Sequence, residues 1–199
     1  MASAQDQLEE QARLQVEAAD VLGDLDLVAT LESVGVPHSV GSRALGLMVR
    51  RDIDLTVACE QLDLRGLYRL GEHVALHPHV RSLRFRDDTG HWNVDPQYPD
   101  GVYWGVEYVG GNGARWNLDV WFVDQPWRQP DLRDLQELAP LLDESRRVRI
   151  LEIKRALHDD PRYGKQLCGR DIYVAVLRHG ATTVEDFEAY LLLDRRPPQ

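Results

Sequence analysis

The chain has 199 residues, 43% hydrophobic and 28% charged, with a formal net charge of −10. That length supports one sizeable core, or one core with a smaller appended part, and the composition is that of a soluble globular protein. No apolar run approaches the ~20 residues of a membrane span, and the acidic balance argues against extended contact with nucleic acid, which depends on Lys and Arg neutralising phosphates.

Residues 5–34 carry apolar side chains at helical spacing, with Gly23-Asp24 predicting a break between two helices and Gly35 a C-terminal stop. Val36-Pro37-His38-Ser39-Val40 reads as a short strand, followed by a Gly41-Ser42 turn and a brief helix from Arg43 to about Val49. From Asp52 to Ala58, Ile53, Leu55 and Val57 alternate with Asp52, Asp54 and Thr56, which predicts a strand with one core face and one polar face. A helix over Leu62–Leu76, a strand over His79–Arg86 and a loop over 87–101 follow. Val102–Val109 and Arg115–Val123 read as a hairpin around Gly110-Gly111-Asn112-Gly113, and a two- or four-residue loop there sets Asp119 opposite Trp104.

Beyond the Pro- and Trp-bearing stretch Gln125–Pro130 the pattern is all helical, over about 132–142, 144–158, 170–179 and 184–193. Thr183 and Asp186 are spaced as a capping box, and Arg195–Gln199 reads as a loose tail. The fold class is therefore α/β (α+β): N-terminal helices over 1–35, a mixed core over 36–128 and a helical region over 129–199. The first residues lack the basic and apolar regions of a signal peptide, and Cys59 and Cys168 lack metal-type spacing. Both features fit a reducing cytoplasmic setting.

Asp52 and Asp54 lie on one strand face, ~7 Å apart at their Cα atoms by strand rise. Their repulsion is relieved by a cation between them, and hard dications such as Mg²⁺ prefer carboxylate oxygens while keeping phosphate oxygens as further ligands. An Asp-x-Asp pair alone is more often a solvated sheet face. Gly41-Ser42, upstream of the pair with nine residues between, changes that balance, because a strand-to-helix turn of small residues lets backbone N–H groups approach phosphate. Asp119, which shares a face with Asn117 and Trp121, is the best third acid; Glu107 and Asp95 are its rivals.

Val40-Gly41-Ser42-Arg43-Ala44-Leu45-Gly46, Asp52-Ile53-Asp54-Leu55 and Leu118-Asp119-Val120 together resemble the nucleotidyltransferase superfamily with the polymerase-beta-type fold. Its members include aminoglycoside and lincosamide nucleotidyltransferases, small minimal nucleotidyltransferases and tRNA terminal nucleotidyltransferases. The resemblance implies a mixed β-sheet flanked by helices, with a C-terminal helical part. It also implies an enzyme that moves a nucleoside monophosphate from a nucleoside triphosphate, such as ATP, to a hydroxyl of a small-molecule acceptor of antibiotic type, releasing pyrophosphate. Asp52, Asp54 and Asp119 would hold Mg²⁺ or Mn²⁺, with Asp119 completing the second metal site or acting as base; Gly41, Ser42 and Arg43 would grip the phosphates. Other readings are a toxin-type enzyme acting on tRNA or protein, and a non-catalytic nucleotide-binding regulatory module. A homodimer is compatible with all of them.

Lys154 and Arg147, seven apart on one predicted helix, could reach a triphosphate, although such charges are usually a solvated face. Trp92, Tyr98, Tyr103 and Trp104 could form a platform for a ring, or lie in the core beneath a loop; Tyr163, Lys165 and Tyr173 are weaker candidates of the same kind. His77-Pro78-His79 has no third metal ligand at fitting spacing and reads as a turn. No P-loop, Gly-x-Ser-x-Gly elbow or His-Glu-x-x-His helix is present.

Overall fold

Period-two alternation in the strands gives a sheet with one apolar and one polar face, and the chain covers only the apolar one with its N-terminal helices. In the computed structural model, residues 3–194 are described, so the Arg195–Gln199 tail lies outside the described residues. The strands are β1 (Val36–Val40), β2 (Asp52–Ala58), β3 (Val80–Asp88), β4 (Gly101–Val109) and β5 (Arg115–Val123), arranged β1-β2-β5-β4-β3. β2 runs parallel to β5, and the other neighbouring pairs are antiparallel.

The sheet's apolar face carries Ile53, Leu55, Val57, Val102, Trp104, Val106, Leu118, Val120 and Phe122. Helix α1 (Ala4–Asp24) packs Leu14, Ala18, Val21 and Leu22 into the same core, α2 (Leu27–Glu32) adds Leu27 and Leu31, and α4 (Leu64–Ala75) adds Leu67 and Val74. A capping box starts α1, with Ser3 Oγ accepting from the Asp6 amide at 3.1 Å and Asp6 Oδ2 accepting from the Ser3 amide at 2.8 Å. The break between α1 and α2 falls at Leu25-Asp26 rather than Gly23-Asp24, with Asp26 left-handed at φ 44°.

Gly41 and Ser42 are themselves the first residues of a short helix, α3 (Gly41–Leu45), which stops at left-handed Gly46 well before Val49. The hairpin differs by one position from the sequence expectation: its loop holds five residues, 110–114, so Val109 pairs with Arg115, Asp119 with Gly105 and Trp104 with Val120. An odd loop changes the pairing register. Trp104 is fully buried in the core, and on the β4 side Asp119 has a glycine, Gly105, abreast of it.

The C-terminal helices are α5 (Pro130–Leu138), α6 (Glu144–Leu157), α7 (Gly169–His179) and α8 (Val184–Asp194). They enclose a second apolar cluster around Leu138, Ile150, Ile153, Leu157, Ile172, Val176, Phe187 and Leu191, joined by Leu45 and Leu47. Thr183 and Asp186 form a reciprocal box ahead of α8, each amide bonded to the other's side chain at 3.1 Å. Phe187 is 0% exposed. Phe187→Ala is expected to cost about 3–5 kcal/mol of stability. Urea unfolding checks this; a loss well under 1 kcal/mol would mean the second cluster is not closely packed.

Candidate active site

β2 presents Asp52 and Asp54 on the polar face because Ile53 and Leu55 occupy the core. The parallel ladder sets Asp54 abreast of Asp119 and Asp52 abreast of Asn117. Strands in register lie ~4.8 Å apart, so two carboxylates abreast repel at short range. Asn117 Nδ2 donates to Asp52 Oδ1 at 3.1 Å. The Tyr103 hydroxyl donates a short hydrogen bond to Asp119 Oδ1, and itself accepts from Arg84 at 3.2 Å. That chain fixes the Asp119 carboxylate from the β3 side of the sheet.

Gly41 is in the left-handed region at φ 60°, and a Cβ there would sit 2.3 Å from Asp54 Oδ2. Glycine is thus required twice, for its backbone angle and for the close approach of the turn to the carboxylate. The first amides of α3 have no intrahelical acceptor, as in any helix, and they open beside Asp54.

These groups face a cavity of about 380 Å³ whose lining includes Gly41, Ser42, Asp52, Asp54, Asp119, Asp131, Asp134, Lys154, Tyr163 and Tyr173. Burial, reinforced by Asp119, Asp131 and Asp52, pushes the Asp54 carboxyl up to about 7, with Lys154 opposing. Burial also raises the Asp131 carboxyl. The lysine is 3% exposed, and its Nζ donates to Leu47 O at 2.6 Å and to the Tyr173 hydroxyl at 3.0 Å. Burial lowers Lys154 to about 8, while Asp54 and Asp52 resist the shift.

Hard oxygen donors buried and crowded together, with the carboxyl of one of them pushed up, are the chemistry that Mg²⁺ or Mn²⁺ satisfies. The donor set therefore fits a divalent ion. The three acids share a cavity without converging on one point: among the described residues, three ligand atoms within 4.8 Å of one another occur at Asp24, His77 and His79 instead. Asp52, Asp54 and Asp119 thus line one cleft without meeting at a single point.

Other expected residues lie elsewhere. Arg43 does not line the cleft; it donates to Ser39 Oγ at 2.8 Å, because it belongs to α3 and turns back toward β1. Arg147 is spent on the end of α3, donating to the Leu45 and Gly46 carbonyls. Glu107 pairs with Arg115 at 3.1 Å, and Asp95 accepts from the Gln97 amide at 3.0 Å. The four aromatics form no common platform: Trp104 is core, Trp92 and Tyr98 are exposed on the 87–101 loop, and Tyr103 alone reaches the site.

Sequence reasoning missed Asp131, Asp134 and Arg50, all of which line the cleft. Asp131 and Asp134 are three apart on α5, a spacing that puts both on one helix face and was readable once Pro130 was taken as the first helical residue.

No family profile matches the sequence, and no curated protein resembles it in sequence. Solved structures do match in shape. The Cid1 poly(U) polymerase with MgGTP bound aligns with TM-score 0.59 and 16% identity over 83% of this chain and 50% of that one. Cid1 in complex with its short product ApU gives 0.54 and 14% over 85% and 48%. A cytoplasmic RNA terminal U-transferase gives 0.54 and 15% over 87% and 54%. The chain has the polymerase-beta-type nucleotidyltransferase fold. It spans about half the length of these three structures.

Within the nucleotidyltransferase fold, the raised Asp54 carboxyl has a stability consequence. Its pKa in the folded protein, about 7, lies above the ordinary 3.8, so the empty protein holds a proton that the unfolded chain releases, and stability is lost as pH rises from about 4 through 7. Asp54→Asn removes that cost. Its Tm at pH 8 in EDTA is expected to exceed that of the unmodified protein, with little difference at pH 4. An Asn variant that melts lower at pH 8 would show the carboxylate to be stabilised by some other group.

Proposed function

We propose that this protein is a metal-dependent nucleotidyltransferase that adds a nucleoside monophosphate to the terminal hydroxyl of an RNA end. The observation that carries the reading is Asp54 abreast of Asp119, with Gly41 pressed against the Asp54 carboxylate at the mouth of a shared cleft. Divalent ions held by Asp52, Asp54 and Asp119 would supply electrostatic stabilisation of the attacking and leaving oxygens.

The rest falls to the chain's own groups. Gly41 and the start of α3 receive the phosphates, and Lys154 offsets their charge from the floor of the cleft. The acceptor hydroxyl attacks the α-phosphorus, the bond to the β-phosphate oxygen breaks, and pyrophosphate leaves. The proton of the acceptor hydroxyl passes to Asp119, the carboxylate that Tyr103 holds in place.

A nucleic-acid end is favoured over a small antibiotic by the surface next to Asp119. A second cavity of about 540 Å³ shares Arg50, Asp52 and Asp119 with the cleft and is lined besides by Ser82, Arg84, Tyr103, Asn117 and Glu107, the last already paired with Arg81 and Arg115. Arg86 stacks over the Tyr103 and Trp121 rings, at 5.0 and 5.3 Å from their centroids. Arginines beside aromatic rings suit phosphates and bases and repel a polycationic antibiotic. Poly(U) polymerase and RNA terminal U-transferase among the similar structures point the same way. The net charge of −10 confines the contact to the last few nucleotides.

Incubation with each nucleoside triphosphate, Mg²⁺ and a short RNA oligonucleotide is expected to lengthen the RNA at its 3′ end. Arg84→Ala is expected to raise KM for the RNA roughly tenfold, the scale of one lost charged contact, and to leave the nucleotide KM unchanged. Asp54→Asn is expected to fold and to lose roughly a hundredfold or more in rate. Turnover in Asp54→Asn equal to that of the unmodified protein would refute the site. Transfer to aminoglycosides with none to RNA would refute the acceptor.

A further inference from the structure

The turn His77-Pro78-His79 acquires in three dimensions the third ligand it lacks in sequence. α4 ends at Ala75 and β3 begins at Val80, and the link between them is a tight turn closed by the Val80 amide on His77 O at 2.9 Å. Both imidazoles lie on one side of it, ring centroids 5.5 Å apart. Asp24, the last residue of α1, meets them there: its Oδ2 lies 2.7 Å from His79 Nδ1 and 3.8 Å from His77 Nε2. Bonds of ~2.0–2.1 Å to a tetrahedral ion place ligand atoms ~3.3 Å apart, and the observed separations bracket that value. The Tyr108 hydroxyl donates to the same Asp24 oxygen at 2.8 Å, steadying the carboxylate as hydrogen-bond partners of metal ligands do.

We propose that Asp24, His77 and His79 form a binding site for a dication of the zinc class, separate from the catalytic cleft. None of the three lines either cavity at Asp52, Asp54 and Asp119. Two imidazoles and one carboxylate select a borderline ion over Mg²⁺, which wants oxygen donors only. Local charge adds a second, independent pull. An acid at a helix C-terminus opposes the helix dipole, the last turn of α1 has no basic residue, and Asp20 lines the adjoining cleft with Asp24, while Glu17 there is paired with Arg13 and Arg51. Binding through His77 Nε2 moves the ring proton to Nδ1 and gives up the long 3.3 Å contact from the His79 amide. The ion ties the end of α1 to the α4–β3 turn, so it acts as a clasp on the fold.

The site is tested on the full chain in excess Mg²⁺, which fills the carboxylate cleft, by titrating Zn²⁺ in calorimetry and following the imidazole ¹⁵N resonances by NMR. The expected result is one Zn²⁺ per chain, with the His77 and His79 ring resonances shifting together and saturating at one equivalent. Asp54→Asn is expected to leave this binding unchanged, and His77→Gln or His79→Gln to weaken it roughly tenfold or more. Failure of either histidine resonance to respond in the unmodified protein overturns the proposal even if the variants do not fold. So does full retention of Zn²⁺ affinity in the folded histidine variants. A cluster that takes up no Zn²⁺ and holds Asp24 only by its hydrogen bond to His79 is the same negative result.

Discussion

Two aspartates held abreast on hydrogen-bonded parallel strands, with a third two residues along, set the terms for the rest of this molecule. The ladder between β2 and β5 leaves Asp54 and Asp119 no freedom to part, because Ile53 and Leu118 on the same backbone are locked in the core. Burial first, and then this repulsion, push the Asp54 carboxyl up to about 7. A rigid element that forces like charges together stores the free energy that a dication, once bound, releases.

The surroundings are arranged around that strain. Gly41 closes on Asp54 with a backbone that no side chain would permit. Lys154 is sunk in the helical cluster, where the Leu47 carbonyl and Tyr173 hydroxyl hold its ammonium against the cost of burial. Asp131 and Asp134 approach from α5 and deepen the negative field, which Arg170 partly balances by its 2.5 Å contact with Asp134. The cleft is thus built by both apolar clusters at once: the sheet supplies the carboxylates, and the helices supply the lysine and further acids.

The sequence made the sheet legible because its strands alternate cleanly: β1, β2 and β5 run over the residues that the pattern of Val36–Val40, Asp52–Ala58 and Arg115–Val123 indicates. The acid pair and the glycine turn were readable for the same reason, since strand parity decides which residues share a face. Hairpin register was not, because a loop of four or five residues differs only in whether Ala114 joins it, and that is decided by a bond from its amide to the Asn112 side chain. Long-range partners were invisible in principle. Asp24 meets His79 across 55 residues and Lys154 meets Leu47 across 107, and no local spacing encodes either meeting. Arg43 and Arg147 misled in the opposite sense: a cation expected at a phosphate site can equally serve other partners, and Arg43 donates to the Ser39 hydroxyl while Arg147 donates to the Leu45 and Gly46 carbonyls.

The central claim is that charge crowding at Asp54 is relieved by a divalent ion. Carboxyl ¹³C NMR of Asp54 across a pH titration, without and with saturating Mg²⁺, addresses it directly. The account requires a midpoint near 7 in the metal-free protein and a midpoint in or below the ordinary carboxylate range, roughly 4, once Mg²⁺ is present. A midpoint that Mg²⁺ does not move would contradict it.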